Sequence, residues 1–182
     1  MNGAGHSFEL NFRFADQADA GLILELVKEL AAYEELSHEV VADEETLGAS
    51  LFQGRRVAEV VIAECDGQPA GFALFFHNFS TFLGRAGLYL EDLYVRPQWR
   101  GKGVGKGLLS FLAAIALERG CGRMEWWVLD WNRQAIGFYE GLGAQAMDEW
   151  TVYRLTGEAL ARLASQGCAA DGPAGSDPVE PA

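Results

Sequence analysis

The sequence predicts an α/β fold, a mixed central sheet with helices on its faces, and three observations predict it. Short apolar runs with strand alternation are interleaved with runs of helical spacing. Hydrophobic residues make up 49% of the chain, aromatics 12% and charged residues 22%, which supplies a core and excludes disordered, collagen-like and coiled-coil chains. A length of 182 residues suits one domain and would cramp two.

The elements follow in order. Phe8, Leu10, Phe12 and Phe14 alternate with polar residues, as a half-buried strand does. Asp16, with Asp19 three residues on, is an N-cap signal, and Leu22, Leu26, Leu30 and Tyr33 behind it recur at helical spacing. A second short helix is expected after Asp43. Strands over about 57–65 and 69–79 are joined by the turn dipeptide Asp66-Gly67. A further strand runs over about 88–95 and stops before Pro97. Residues 104–119 form an unbroken helical pattern, with Leu108, Leu112, Ile115 and Ala116 on one face. A strand over 123–129, a helix over 132–141 and a last strand over 149–155 complete the order β-α-α-β-β-β-α-β-α-β. From Gln166 onward three prolines, three acids and no base read as a disordered acidic tail, and residues 1–7 as a flexible start, leaving a domain over 8–165.

Charge narrows the function. Twenty-six acids against 14 Lys and Arg give a net charge of −12, which argues against general nucleic-acid binding and suits a cationic small molecule. Without the tail, 23 acids against 14 bases leave −9 on the domain. Cys65, Cys121 and Cys168, like His6, His38 and His77, are scattered, so neither a disulfide framework nor a metal centre is expected. No basic segment followed by an apolar stretch opens the chain, and no apolar run reaches the ~18 residues of a membrane span. A reducing, cytoplasmic setting away from membranes is the expectation.

The strongest chemical signal lies at 96–107, Arg-Pro-Gln-Trp-Arg-Gly-Lys-Gly-Val-Gly-Lys-Gly, between a strand and the long helix. Glycines at 101, 103, 105 and 107 leave the backbone amides uncovered at a helix N-terminus, which is an anion site. The 25 residues from Leu93 to Leu117 hold no Asp or Glu, yet include Arg96, Arg100, Lys102 and Lys106. An acidic chain has cleared this patch, and a phosphate group is the expected occupant. Walker A and Rossmann loops are excluded, because Gly107 follows Lys106 where Ser or Thr is needed, and position 106 is not Gly. The plain alternative is a glycine-rich turn.

The run Arg100-Gly101-Lys102-Gly103-Val104-Gly105 resembles the acetyl-CoA pyrophosphate loop of the GNAT (Gcn5-related) N-acetyltransferases. The segments Leu88-Tyr89-Leu90-Glu91-Asp92-Leu93-Tyr94-Val95 and Met124-Glu125-Trp126-Trp127-Val128-Leu129-Asp130-Trp131-Asn132 look like the diamine (spermidine/spermine) and thialysine N-acetyltransferase branch. The resemblance spans about residues 8–155. It implies a sheet of about six to seven strands, acetyl-CoA as co-substrate without a metal, and a homodimer. It further implies cofactor contacts from Leu93, Tyr94, Val95, Arg100, Gly101, Lys102, Gly103, Val104, Gly105, Lys106, Asn132 and Ala135.

Glu91 and Asp92 sit mid-strand, where neighbours point to opposite faces, so at least one carboxylate turns inward. That is costly without a purpose, and a base or an amine ligand supplies one. A salt-bridged strand-edge acid is the alternative. Resemblance to the branch assigns Glu91 to amine binding and proton removal, directly or through water. Tyr139 beside Phe138 reads by itself as a packed aromatic, whereas the resemblance makes it the proton donor to the departing CoA thiolate. A phenol near ~10 and a thiol near ~8.5 are close enough for that transfer. Asn132 suits a helix cap, a pantetheine contact, or both.

An alkyl ammonium of pKa ~10.4 is neutral at pH 7 in only about one molecule in 2,500, a handicap of ~4.6 kcal/mol that the enzyme must offset. The resemblance lines the amine groove with Tyr33, Glu34, Glu91, Asp92, Glu125, Trp126 and Trp127, although Glu34 also reads as a solvated acidic helix end. No Cys or Ser is placed as an acyl carrier, so direct attack in a ternary complex is expected. The reading is an acetyltransferase for a small cationic amine, of polyamine, diamine or thialysine-like type. Acetylation of protein N-termini or lysines, and a non-catalytic acyl-CoA-binding module, are the alternatives.

Overall fold

The computed structural model describes residues 8–167. The start expected over 1–7 and the tail expected over 166–182 lie outside the described residues, apart from Gln166 and Gly167. The chain divides into two compact units, one ending at Trp127 and the other beginning at Val128.

The first unit holds β1 (Leu10–Phe14), α1 (Ala20–Tyr33), α2 (Glu44–Phe52), β2 (Glu59–Cys65), β3 (Gln68–Ser80), β4 (Arg85–Val95), α3 (Val104–Glu118) and β5 (Met124–Trp126). The strands form one mixed sheet ordered β1-β2-β3-β4-β5, antiparallel except for the parallel β4/β5 pair. Asp66 and Gly67 both have positive φ, 49° and 73°, as a two-residue hairpin turn between β2 and β3 requires. Asp16 accepts from Ala18 N and Asp19 bonds back to Asp16 N, so the N-cap signal is satisfied one short 3₁₀ turn before α1 begins. Arg13 grips the same Asp19 at 2.7 Å and Glu64 at 2.8 Å, which ties β1, β2 and the head of α1 together.

The sheet buries both faces. On one, Val60, Ile62, Phe72 and Tyr94 meet Ile23, Leu26 and Leu30 of α1 and Leu51 of α2. The other is covered by α3, whose Leu108, Leu112, Ile115 and Ala116 are buried as their spacing predicts. Among the described residues, no helix is long and apolar enough to cross a membrane.

The second unit holds α4 (Arg133–Gly141) and α5 (Gly157–Ser165). Two expectations are corrected here. Residues 149–155 form no strand, because alternation supplies a face but no partner ladder, and Trp150, Val152 and Tyr153 stay exposed. The strand expected over 123–129 shortens to Met124–Trp126, since only Leu88–Leu90 of β4 pair with it. Among the described residues the sheet therefore has five strands, not six or seven. The helix over 157–165, which sets Leu160 and Leu163 on one face, is an element absent from the expected order.

Gly107 shows why one of the loop glycines is there. A Cβ on it would run into the Phe12 ring of β1 and touch Leu10, so its role is close approach of α3 to the sheet. Gly107→Ala is expected to cost ~1–3 kcal/mol in urea denaturation, the range of core overpacking.

Candidate active site

The loop between β4 and α3 opens with two tight bonds, Trp99 N to Arg96 O at 2.9 Å and Arg96 N to Ala70 O at 2.9 Å. Gly101 and Gly103 then take positive φ, 71° and 87°, a region that favours glycine. Gly103 is the N-cap of α3 and offers no capping side chain, so no side chain of its own covers the first-turn amides of Val104, Gly105 and Lys106. Bare amides, the positive end of a 15-residue helix and exposed Lys102 and Lys106 make a fit for a pyrophosphate. Val104 buries its side chain and has only its backbone to offer. The Lys102 ammonium rests 4.7 Å over the Trp99 ring, within reach of the loop surface.

The edge of β4 changes beside this loop. β5 pairs with Leu88, Tyr89 and Leu90 and goes no further, so 91–95 have no partner strand on that side among the described residues. Leu93, Tyr94 and Val95 thus present strand backbone to whatever lies along this edge. In the same stretch the β3/β4 register shifts. Phe75 stands opposite Leu90 and Leu74 opposite Asp92, which leaves Glu91 as an extra, bulged residue.

The bulge separates the two neighbouring acids by more than alternation would. Glu91 is exposed, whereas Asp92 shares the α1-side face with Leu74 and Tyr94 and is half-buried. Burial, followed by the charges of Glu91 and Glu34, pushes the Asp92 carboxyl up to about 6. Glu34, just past the end of α1, is also raised by burial. Asp92 thus feels the charge of Glu34, a repulsion that a nearby cation would relieve.

Tyr33 closes α1 next to this pair. The Arg100 guanidinium lies 4.5 Å from the Tyr33 ring centroid and 5.5 Å from that of Tyr94, while its Nε donates to Val95 O at 2.8 Å. Arg96 grips Glu29 at 2.8 Å and Glu25 at 2.5 Å and donates to Pro69 O.

Further along the same face, Tyr89 stacks between Phe76, at 5.0 Å, and Trp127, at 5.8 Å edge-on. Glu125, opposite Tyr89, accepts from Asn78 Nδ2 and pairs with Arg123, each at 2.8 Å. Burial and the flanking charges of Glu91 and Glu125 push the Tyr89 phenol up to about 12. Sequence reasoning missed Tyr89, Asn78 and Arg123 as neighbours of Glu125. Simple alternation groups Tyr89 with Glu91, so only the bulge brings it onto the Asp92 face, and the Asn78 link spans 47 residues and carries no local signal. Trp126 pairs with Leu90 and so lies on the opposite face of the sheet from Asp92, Glu125 and Trp127.

The remaining candidates lie in the second unit. Asn132 caps α4 by accepting from Ala135 N at 3.1 Å. Tyr139 is half-buried on that helix, its ring 5.4 Å from Phe138, and its carbonyl accepts from Leu142 N and Ala144 N.

The raised Asp92 has a cost that folding bears. An unfolded Asp titrates near ~3.9 and the folded one at about 6. The folded state therefore holds this proton more tightly, and stability is lost as pH rises from about 4 through 6. Asp92→Asn is expected to stabilise the free protein by ~1–2 kcal/mol at pH 7.5, and to make no difference at pH 4, in thermal melts.

The profile of the Acetyltransferase (GNAT) family matches residues 24–144. A thialysine N-epsilon-acetyltransferase of Bos taurus is 39% identical over 165 residues, covering 85% of this chain and 96% of its own. The L-ornithine N5-acetyltransferase NATA1 of Arabidopsis thaliana is 34% identical over 201 residues, covering 86% and 88%. Among solved structures, an integron cassette protein from V. cholerae superimposes with a TM-score of 0.73 at 27% identity, covering 87% of this chain and 99% of its own. With acetyl-CoA as the co-substrate of this family and a phosphate-ready loop at the head of α3, the chain belongs to the GNAT family of acetyl-CoA-dependent N-acetyltransferases.

Proposed function

We propose that the acceptor is a small cationic amine, a diamine, polyamine or diamino acid, held by its ammonium groups on the α1-side face of the sheet. One observation carries this reading: Asp92, pushed up to about 6 by burial and by the charges of Glu91 and Glu34, lies on β4 where its edge opens. The relatives named for thialysine and ornithine acetylation support it, as does the domain's net −9 charge.

The chain's own groups then divide the work. The glycine loop and α3 amides hold the pyrophosphate, and the β4 edge at 93–95 aligns the pantetheine arm by backbone hydrogen bonds. Acetyl-CoA supplies the activated thioester. Asp92 and Glu34 bind the amine as a cation, and Asp92, with Glu91 at the bulge beside it, accepts the proton that the attacking nitrogen loses. A carboxylate near 6 is a better proton acceptor than one near 4, which reduces the handicap of the ammonium. Tyr139 gives its phenolic proton to the departing sulfur. Phe76, Tyr89 and Trp127 form an apolar strip for the methylenes between two charged ends, with Glu125 at the far end. We also read the enzyme as cytoplasmic and as a homodimer, the dimer alone being supported by the exposed Trp150, Tyr153, Leu160 and Leu163.

A panel of thialysine, ornithine, spermidine and a neutral aromatic amine, followed by CoA release, tests the acceptor class. Cationic acceptors should lead by at least ~10-fold in kcat/KM, with a limb that rises through about pH 6 and vanishes in Asp92→Asn. Equal rates for the neutral amine would overturn the reading. Tyr139→Phe keeps the ring and removes the proton, so kcat should drop ~10²–10⁴-fold while CoA affinity by calorimetry stays within about twofold.

A further inference from the structure

Arg100 stands one residue before the glycines of the cofactor loop, where a cation for phosphate would be expected. Its guanidinium is committed elsewhere. It meets two aromatic rings, Tyr33 at 4.5 Å and Tyr94 at 5.5 Å, while Nε donates to Val95 O at 2.8 Å. Lysine cannot do this, because only a planar fork covers a ring with its face and donates along its edge at once.

The helix it touches is held along one stripe. Glu25, Glu29 and Tyr33 are spaced i, i+4, i+8 and share a face of α1. Arg96 fixes the first two. Arg100 meets the last turn, at Tyr33. That turn ends without the usual glycine. Leu36 N bonds Ala31 O at 2.8 Å and Glu35 N bonds Ala32 O at 3.3 Å, a closing motif that puts Glu35 at a φ of 62°. A non-glycine there costs of order 1 kcal/mol, so the helix end carrying Tyr33 and Glu34 is poorly stabilised by itself.

The geometry points to Arg100 as a positioning residue that clamps the Tyr33–Glu34 end of α1 to the cofactor loop, so that filling the loop sets the amine site. The inference rests on the reading of Glu34 and Asp92 as that amine site. Lys102 and Lys106 remain as the loop's cations for phosphate. A ring contact with Tyr33 and a carbonyl contact at Val95 make Arg100 a link between the two substrates.

Wild type, Arg100→Lys, Tyr33→Phe and Tyr33→Leu distinguish this link from a phosphate contact. Arg100→Lys keeps a cation for phosphate but loses the planar clamp. CoA affinity by calorimetry should stay within about twofold, while KM for thialysine rises at least ~10-fold. Tyr33→Leu should match it, Tyr33→Phe, which keeps the ring under the guanidinium, should raise KM less than Tyr33→Leu does, and the double variant Arg100→Lys/Tyr33→Leu should be no worse than either single one. A second measurement does not depend on the acceptor. In wild type, CoA should slow amide hydrogen exchange at residues 33–36, and in Arg100→Lys that protection should disappear with CoA still bound. Loss of CoA affinity with thialysine KM unmoved, additive effects in the double variant, or protection that survives in Arg100→Lys would overturn the proposal. If wild type does not turn over thialysine, the acceptor reading fails, and the exchange measurement alone decides the role of Arg100.

Discussion

Within three residues of β4 the sheet loses a neighbour and gains a residue, and both halves of the site follow from that. β5 stops pairing after Leu90, which opens a backbone edge where a strand would otherwise lie. The register with β3 shifts at Glu91, which turns Asp92 onto the α1-side face in line with Tyr94. Without the shift, Glu91 and Asp92 would exchange faces and the carboxylate beside Glu34 would be gone. A sheet with continuous pairing satisfies all of its hydrogen bonds and has nothing left to offer a ligand.

Charge is distributed with the same logic. An acidic chain keeps acids away from the loop at 96–107 and spends its arginines as struts, Arg13 on Asp19 and Glu64, Arg96 on Glu25 and Glu29, Arg119 on Glu59. Each strut joins elements that are far apart in sequence, so removing one leaves an unpaired acid as well as a missing contact. Asp92 and Glu34 are partly buried, and burial holds their protons more tightly than usual.

Glu125 illustrates the opposite treatment. Asn78 and Arg123 both hold its carboxylate, so it enters the groove as part of a neutralised cluster rather than a bare charge. Asn78 is itself fitted closely: its buried Oδ1 has no hydrogen-bond partner and lies over Gly87, where a side chain would collide with it. An amine reaching that end would meet aromatic faces, Tyr89 and Trp127, before it met a free anion.

Local pattern by itself determined the caps, the long helix and the strands other than β5 of the first unit. Alternation at 8–14, the Asp16 and Asp43 caps and the Asp66-Gly67 turn all concern neighbours within a few residues, where sequence spacing and spatial contact coincide. The glycine loop was legible for the same reason, since positive φ at Gly101 and Gly103 is a property of the residues themselves. Tertiary structure alone decided the rest. Whether 149–155 pairs as a strand depends on a partner edge that alternation cannot supply, and the bulge that ranks Asp92 above Glu91 as the inward acid exists only in the pairing with β3. The placing of Arg100 over the Tyr33 ring is likewise a long-range contact, across 67 positions of chain. Spacing reports which way a residue faces along its own element, whereas partner, register and charge environment belong to the chain segments packed against it.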